Sequence, residues 1–421
     1  MILETDSMNA TERFKTTISH KEPDRVPIFL TGVHPYSKVY IELMQNYDEI
    51  LDEWTEDEKN LIITPIGDFT IRYFLGSELE HFSIGLNDSF TNKIIDENNK
   101  IIGDLTPKIK QEAIQNYKEK QKNTEINNKQ NYILKYVDHH GRIMALTILP
   151  TGHEYTWYIG GYLKTEKEIL DWYDTYGWPH EFPVRNYDIN AYKETCSKYG
   201  DRICFVPHNG GPQLFESLWP MMGMAKFGYF CRKKPELIHK LVETRKLAQL
   251  KILNEIKKLN PIAVYGGDDL GQKGRSLISP EIFRKFFKNA YKEIFDKVHE
   301  MNAIAYNHGD GNFMELLPDY IEAGLDGWQA LEPDSLIDHE LLKKKFGDKL
   351  VLIGGLNQNY MTRPDVGPEQ VEKHVKEQIK KMASNGGYIA GPSHDYLNVP
   401  LKNALALRDA IYKYGKYPIN Y

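Results

Sequence analysis

The chain has 421 residues, 53 Lys plus Arg against 59 Asp plus Glu and a net charge of −6. At about 150 residues per domain this length suggests roughly three domains or one large α/β barrel with insertions. The acidic balance excludes the basic field that a nucleic-acid partner needs, and no apolar run approaches the roughly 20 residues of a membrane helix.

In chain order, Glu12 to Ser19 has helical spacing and leads into a first apolar run, Val26-Pro27-Ile28-Phe29-Leu30. Leu61-Ile62-Ile63 forms a second. From Gly67 to Gly200 the pattern changes. Gln111 to Asn131 is almost wholly polar and reads as a solvated helix or linker. Tyr132–Val137 and Ile143–Leu149 flank Asp138-His139-His140-Gly141-Arg142, which predicts a β-hairpin. Beyond residue 200 short apolar runs alternate with amphipathic stretches: Ile203–Val206, Ile262–Tyr265, Ala303–Tyr306, Gly327–Ala330, Leu350–Ile353 and Gly387–Ala390. Pro280 to Met301 repeats apolar residues at three- and four-residue steps, with Ser279 as N-cap and proline at the first helical position.

Two early runs and six late ones give the eight strands of a (β/α)8 TIM barrel, with a β-hairpin-containing insertion after the second strand; an open doubly wound sheet is the rival. Setting residues 67–200 aside as an insertion leaves close to the roughly 250 residues of such a barrel within one domain of 1–421. An insertion leaving the barrel there is placed to act as a lid. The three cysteines, Cys196, Cys204 and Cys231, form no CxxC pair, and Met1 to Asp6 carries acid where a secretory signal would carry base. A reducing cytoplasm is the expected setting.

Barrel chemistry gathers where strands run into the loops that follow them. Those positions hold His34, Asp68, His208 with Asn209, Asp268 with Asp269, His308 with Asp310, Glu332, Asn357, and His394 with Asp395. Asp, Asn and Gly there also serve as turn and cap residues, but four of the fourteen histidines fall on one rim and histidine is not a turn former. His308, Asp310 and His394 offer imidazole and carboxylate, the ligands of a borderline divalent metal, with zinc first and manganese or iron as alternatives. A metal-free acid/base pair of His308 and Asp310 is the other reading. Asp268 and Asp269 are adjacent, so one faces the mouth and the other the wall. Asp268, Glu332 and Asp68 are the candidate catalytic carboxylates; His34, His208, Asn209, Asn357 and, in the inserted region, His153 are candidate substrate contacts.

These residues resemble the uroporphyrinogen decarboxylase superfamily, which includes corrinoid-dependent methyltransferases. The resemblance runs through Arg13-Phe14 and Lys21-Glu22-Pro23-Asp24-Arg25-Val26-Pro27, Gly210-Gly211-Pro212, Pro235-Glu236-Leu237-Ile238 and Gly267-Asp268-Asp269-Leu270-Gly271. It continues through His308-x-Asp310-Gly311-Asn312, Ala323-Gly324-Leu325-Asp326 and Gly386-Gly387-Tyr388 to Pro392-Ser393-His394. The decarboxylases carry paired arginines after the first strand for the many carboxylates of their substrate, whereas Gly32 to Lys38 holds none. Asp68 lies near the expected place of their catalytic aspartate, which keeps decarboxylation as the alternative. The methyltransferases hold zinc with a His-x-Cys pair and a late cysteine; here Asp310 and Ser393-His394 stand in those places. The resemblance therefore implies a thiolate-free metal suited to an oxygen-bearing methyl donor such as a methoxy compound. Methyl would pass to a separate corrinoid protein, since this chain has no Asp-x-His-x-x-Gly motif. A barrel that only binds a ligand is a third reading.

Overall fold

The computed structural model describes residues 3, 5–45, 70–88, 90–122, 132–149 and 152–420. The chain divides into two compact units, one of Met1–Gly85, Val184–Pro212 and Gln249–Tyr421, the other of Leu86–Pro183 and Gln213–Ala248.

The first unit is built on a curled sheet of seven parallel strands. Their spatial order is also their chain order: Leu79–Ser83, Cys204–Pro212, Ala263–Gly267, Ile304–Gly309, Gly327–Ala330, Val351–Leu356 and Tyr388–Pro392. Helices Lys288–His299, Leu317–Glu322, His339–Phe346 and Pro368–Met382 fall between successive strands, and Leu401–Tyr414 follows the last. Because both faces of such a sheet are covered, the strands read as continuous apolar runs rather than alternating ones. Phe29, Leu79, Cys204, Val206, Ala263, Tyr265, Tyr306, Val351, Ile353 and Ile389 pack into one buried cluster, while Val264, Ala305, Trp328 and Leu352, on the intervening positions, are buried as well. All six expected runs after residue 200 are strands of this sheet.

Val26–Leu30 lies along both edges of the sheet. Ile28 bridges Ala390 and Phe29 bridges Leu79, each in parallel. The Phe29 N–H donates to Ala390 O and the Glu78 N–H to Ile28 O, both at 2.9 Å. Pro27 has no N–H for a longer ladder, and Gly391 is required here, since a Cβ on it would stand 1.9 Å from Phe29 O. Leu61–Ile63 and Asp68 lie outside the described residues. The strand that pairs with Cys204–Pro212 is Leu79–Ser83, from Leu79↔Cys204 to Ser83↔His208. It falls inside the stretch set aside as irregular. Its sequence, Leu-Glu-His-Phe-Ser, buries Glu80 and so lacks the apolar run that marks its neighbours.

The N-terminal segment forms a buried ion network. Arg13 and Arg25, each 1% exposed, meet three carboxylates. Arg13 Nε lies 2.7 Å from Asp24, Arg25 Nε 2.9 Å from Asp6 and Arg25 Nη1 2.8 Å from Glu78, which Arg13 also contacts. Five long polar side chains thus fix the start of the chain against the residue that precedes the first strand.

The second unit carries a five-stranded antiparallel sheet in the order Ile101–Asp104, Lys93–Ile95, Leu134–Val137, Arg142–Ile148, Glu154–Gly161. The expected hairpin is present, closing with Val137 opposite Ile143. Asp138 Oδ1 accepts from the N–H groups of His140 and Arg142 at 3.0 and 2.9 Å, and Gly141 supplies the positive φ of 72°. Pro107–Lys122 is a helix, the first part of the polar stretch from Gln111. Ser279 Oγ caps the helical segment at Ile282 N, which continues through a π-helical turn at Phe283–Phe287 into Lys288–His299. Among the described residues no helix is long and apolar enough to cross a membrane.

Candidate functional site

Three neighbouring strand ends of the first unit deliver the central cluster. The Ala263–Gly267 strand runs into Asp268-Asp269, the Ile304–Gly309 strand carries His308 and ends before Asp310, and Gly327–Ala330 places Gln329 beside them. The register sets His308 opposite Gly267 on one side and Gln329 on the other. Asp269, His308 and Asp310 each bring a ligand atom within 4.8 Å of the others. His308 Nε2 stands 3.5 Å from Asp269 Oδ1 and 3.3 Å from Asp310 Oδ1. Its Nδ1 lies 2.5 Å from Gln329 Oε1.

Of the adjacent aspartates it is Asp269 that faces this cluster. Asp268 is 1% exposed and accepts the Tyr291 hydroxyl, so its carboxylate belongs to the wall. Alternation requires the two to diverge; the tyrosine decides which one turns inward. Asp269 Oδ1 also accepts the Asp310 N–H at 2.9 Å, tying the two loops together.

His394 reaches the cluster through Asp310, with Nε2 3.4 Å from Oδ2. Its Nδ1 accepts the Asp395 N–H at 2.8 Å, which leaves the ring proton on Nε2, directed at Asp310. The neighbouring Asp395 pairs with His34 Nε2 at 2.8 Å, and His34 stacks on Tyr36. His208 lies with its ring centroid 5.0 Å from that of Tyr265. The adjacent Asn209 is 1% exposed, and its Oδ1 has no hydrogen-bond partner among the described residues. Gly210 beyond it has φ 83° and sits where a Cβ would lie 2.8 Å from Gly85 Cα, so the strand end can be approached only by glycine.

Glu332 supports the loops: its Oε2 accepts from Gly311 N at 2.8 Å and from Ser335 Oγ at 2.9 Å. Two non-glycine residues with positive φ, Ala330 at 124° and Leu331 at 53°, precede it. Such conformations persist only where surroundings enforce them; here His339 Nε2 donates to Leu331 O at 2.8 Å. Asn357 is a cap, its Oδ1 accepting from Tyr360 N and its Nδ2 donating to Asp334. His153 lies in the second unit, next to the Glu154–Gly161 strand.

Burial and charge pull these groups apart electrostatically. Burial alone would push His308 down, yet the Asp310 and Asp269 carboxylates outweigh it and raise its pKa to about 10. Burial would push Asp310 up, and the imidazoles of His308 and His394 instead hold it well below the carboxylate range. Asp269 is raised, by burial and then by the like charge of Asp310 against the opposing pull of His308. Burial, reinforced by the charge of His308, pushes His208 down to about 4. One carboxylate is thus firmly ionised and its neighbour resists ionisation, an arrangement typical of functional sites.

These donors fit a divalent cation. Two carboxylates and an imidazole converge, their mutual contacts of 3.3–3.5 Å are long for hydrogen bonds, and Asp310 Oδ1 is buried without a hydrogen-bond partner among the described residues. Sequence patterning had no means to single out Gln329 or Tyr265, whose hydroxyl donates to Gln329 Oε1 at 3.1 Å, because both lie inside apolar runs.

Comparison with known proteins follows the same lines. Over its whole length the chain resembles a methyltransferase from Methanosarcina mazei, with a TM-score of 0.58 at 15% identity, covering 97% of this chain and 99% of that one. That likeness concerns the fold. A B12-independent methionine synthase from Shewanella sp. W3-18-1 (TM-score 0.32, 12% identity, 55% of this chain and 69% of that one) is more distant. So is a 3-keto-D-glucoside 4-epimerase from E. coli (TM-score 0.34, 14% identity, 53% and 83%). No curated protein gives a significant match. Residues 189–414, more than half of the chain, match the family model described as Uroporphyrinogen decarboxylase (URO-D). That span contains every member of the Asp269–His308–Asp310 cluster, and the chain belongs to the uroporphyrinogen decarboxylase family.

Proposed function

We propose that this chain is a methyltransferase that moves a methyl group from a small methoxylated donor to the cobalt of a separate corrinoid protein. The observation that carries this reading is the thiolate-free cluster of Asp269, His308 and Asp310. We take the sheet to be seven staves of a (β/α)8 barrel, with Val26–Leu30 as the eighth, since that segment bonds to both edge strands.

Asp269, His308 and Asp310 would hold a divalent ion, zinc first, with His394 alongside. Such an ion supplies Lewis acidity toward an ether or alcohol oxygen, and oxygen and nitrogen ligands suit a harder substrate than thiolates do. His394, with its proton on Nε2 and its Nδ1 accepting the Asp395 N–H, is placed to hydrogen-bond a departing oxygen. Glu332 keeps Gly311 and hence Asp310 in place, and His34 with Asp395 forms the adjoining wall. Removing methyl from a methoxy group leaves an alkoxide, whose charge a hydrogen bond from His394 Nε2 would stabilise until solvent protonates it. The family also contains decarboxylases, but the loop Gly32 to Lys38 offers no arginine to a polycarboxylate.

The test is direct. Protein purified without a metal-binding tag should hold about one equivalent of a divalent metal, and with cob(I)alamin and a methoxylated donor it should form methylcobalamin, followed by absorbance. His308→Ala should abolish both. Turnover of uroporphyrinogen without methyl transfer would sink this reading in favour of decarboxylation.

A further inference from the structure

We infer that Gln329 is a positioning residue that fixes the His308 imidazole with Nε2 turned toward the two carboxylates; this rests on reading Asp269, His308 and Asp310 as a cation site. Gln329 is fully buried in the middle of a strand, where an apolar side chain would be the ordinary occupant. The parallel register places it directly beside His308, so the two side chains leave the same face of the sheet next to each other. Its amide is held at both ends: Oε1 lies 2.5 Å from His308 Nδ1 and 3.1 Å from the Tyr265 hydroxyl, and Nε2 lies 3.4 Å from Thr31 Oγ1.

The orientation of the amide decides what the imidazole can do. With Oε1 toward the ring, Nδ1 carries a proton and donates it, so the nitrogen that gives up its proton to an arriving cation is Nε2, on the side of Asp269 and Asp310. A cation requires that tautomer. With the amide reversed, an N–H would face Nδ1, the ring proton would move to Nε2, and that proton would stand where the cation belongs. Glutamine supplies a neutral acceptor at this depth. Leucine would leave a buried N–H without a partner, and glutamate would keep the acceptor while adding a charge.

Cobalt(II) titration of metal-free protein, followed by visible absorption, tests this without reference to turnover. Gln329→Leu should weaken Co(II) binding by about 10- to 100-fold, the usual effect of losing the partner of a ligating histidine, and Gln329→Glu should restore wild-type affinity or exceed it. Zinc-loaded protein should show a slowly exchanging downfield His308 Nδ1–H resonance, identified by its loss in His308→Ala. If Gln329→Leu binds Co(II) as the wild type does while His308→Ala does not, the positioning role is overturned and the cation site stands. If the wild type binds no Co(II), both fall. Should Gln329→Leu fail to fold, the resonance decides: its presence supports the role of Gln329, and its absence overturns it.

Discussion

Two charged clusters in the first unit are built from similar groups and differ in completeness. In the N-terminal network, Arg13 and Arg25 face Asp6, Asp24 and Glu78 through contacts of 2.7–3.1 Å. The strand-end cluster has no guanidinium among its described contacts; its imidazole and carboxylates stand 3.3–3.5 Å apart, and one buried carboxylate oxygen lacks a hydrogen bond. The first cluster is satisfied by its own members and the second has capacity left over. Both gather buried charges, so residue type alone does not distinguish a structural fastening from a site; the state of its hydrogen bonds does.

The strongest way to break this contrast is to open the finished network. Glu78→Ala leaves two buried guanidiniums short of an anion and should cost about 3–5 kcal/mol in chemical denaturation; a loss under about 1 kcal/mol would mean that the network is loosely solvated after all. Next comes filling the unfinished one. Zinc or cobalt at a hundredfold excess over its dissociation constant should stabilise the protein by about 2.7 kcal/mol. Chelation should remove that gain, and Asp269→Asn should not show it. A variant that still responds would place the ion elsewhere.

The strand-end cluster should also show an alkaline loss that the N-terminal carboxylates do not. Burial would raise Asp6 and Asp24, but hydrogen bonds from Arg25 and Arg13 prevail and lower both below the ordinary 3.8. Their contribution is therefore complete above that value and is lost as pH falls through the lowered ones. In chelated protein His308 behaves in reverse: raised from 6.5 to about 10, it contributes fully below 6.5 and ceases to contribute as pH rises through about 10. Melting curves of chelated protein across pH should show both losses, and His308→Ala should remove the alkaline one while leaving the share of the acid loss that Asp6 and Asp24 carry. The smallest effect concerns Asp269→Asn in metal-free protein. Burial and the like charge of Asp310 disfavour the Asp269 carboxylate, and the amide oxygen can still accept the Asp310 N–H. Loss of the charge and of its attraction to His308 therefore nearly offset, so stability should change by less than about 1 kcal/mol, in either direction.

How much of this was legible in the sequence follows from what each feature leaves in the residue pattern. Runs such as Ile262–Tyr265 and Leu350–Ile353 announce strands because covering both faces demands apolar residues at every position. Leu79–Ser83 hides because it buries a glutamate, and no pattern of polarity separates that from a loop. His308, Asp310 and His394 could be marked as a group because histidine is an unexpected turn former. That Asp269 rather than Asp268 faces them depends on Tyr291, which is remote in sequence and reaches the wall only in the folded chain. The direction of the His394 ring is equally invisible, being set by the backbone N–H of Asp395.

Val26–Leu30 joins the two edges of the sheet, pairing Ile28 with Ala390 across nearly the whole chain. During synthesis that seam closes late: the early segment emerges first and must wait for Tyr388–Pro392. Contacts so distant in sequence slow folding, and until the final strand arrives the growing chain presents an unpaired edge that other chains can join. The ion network of Arg13 and Arg25 draws on residues no later than Glu78, so it can form while translation continues and hold the waiting segment in position. The N-terminal ion network would then act as a folding clamp, and its loss should appear first as low yield and aggregation of nascent chains.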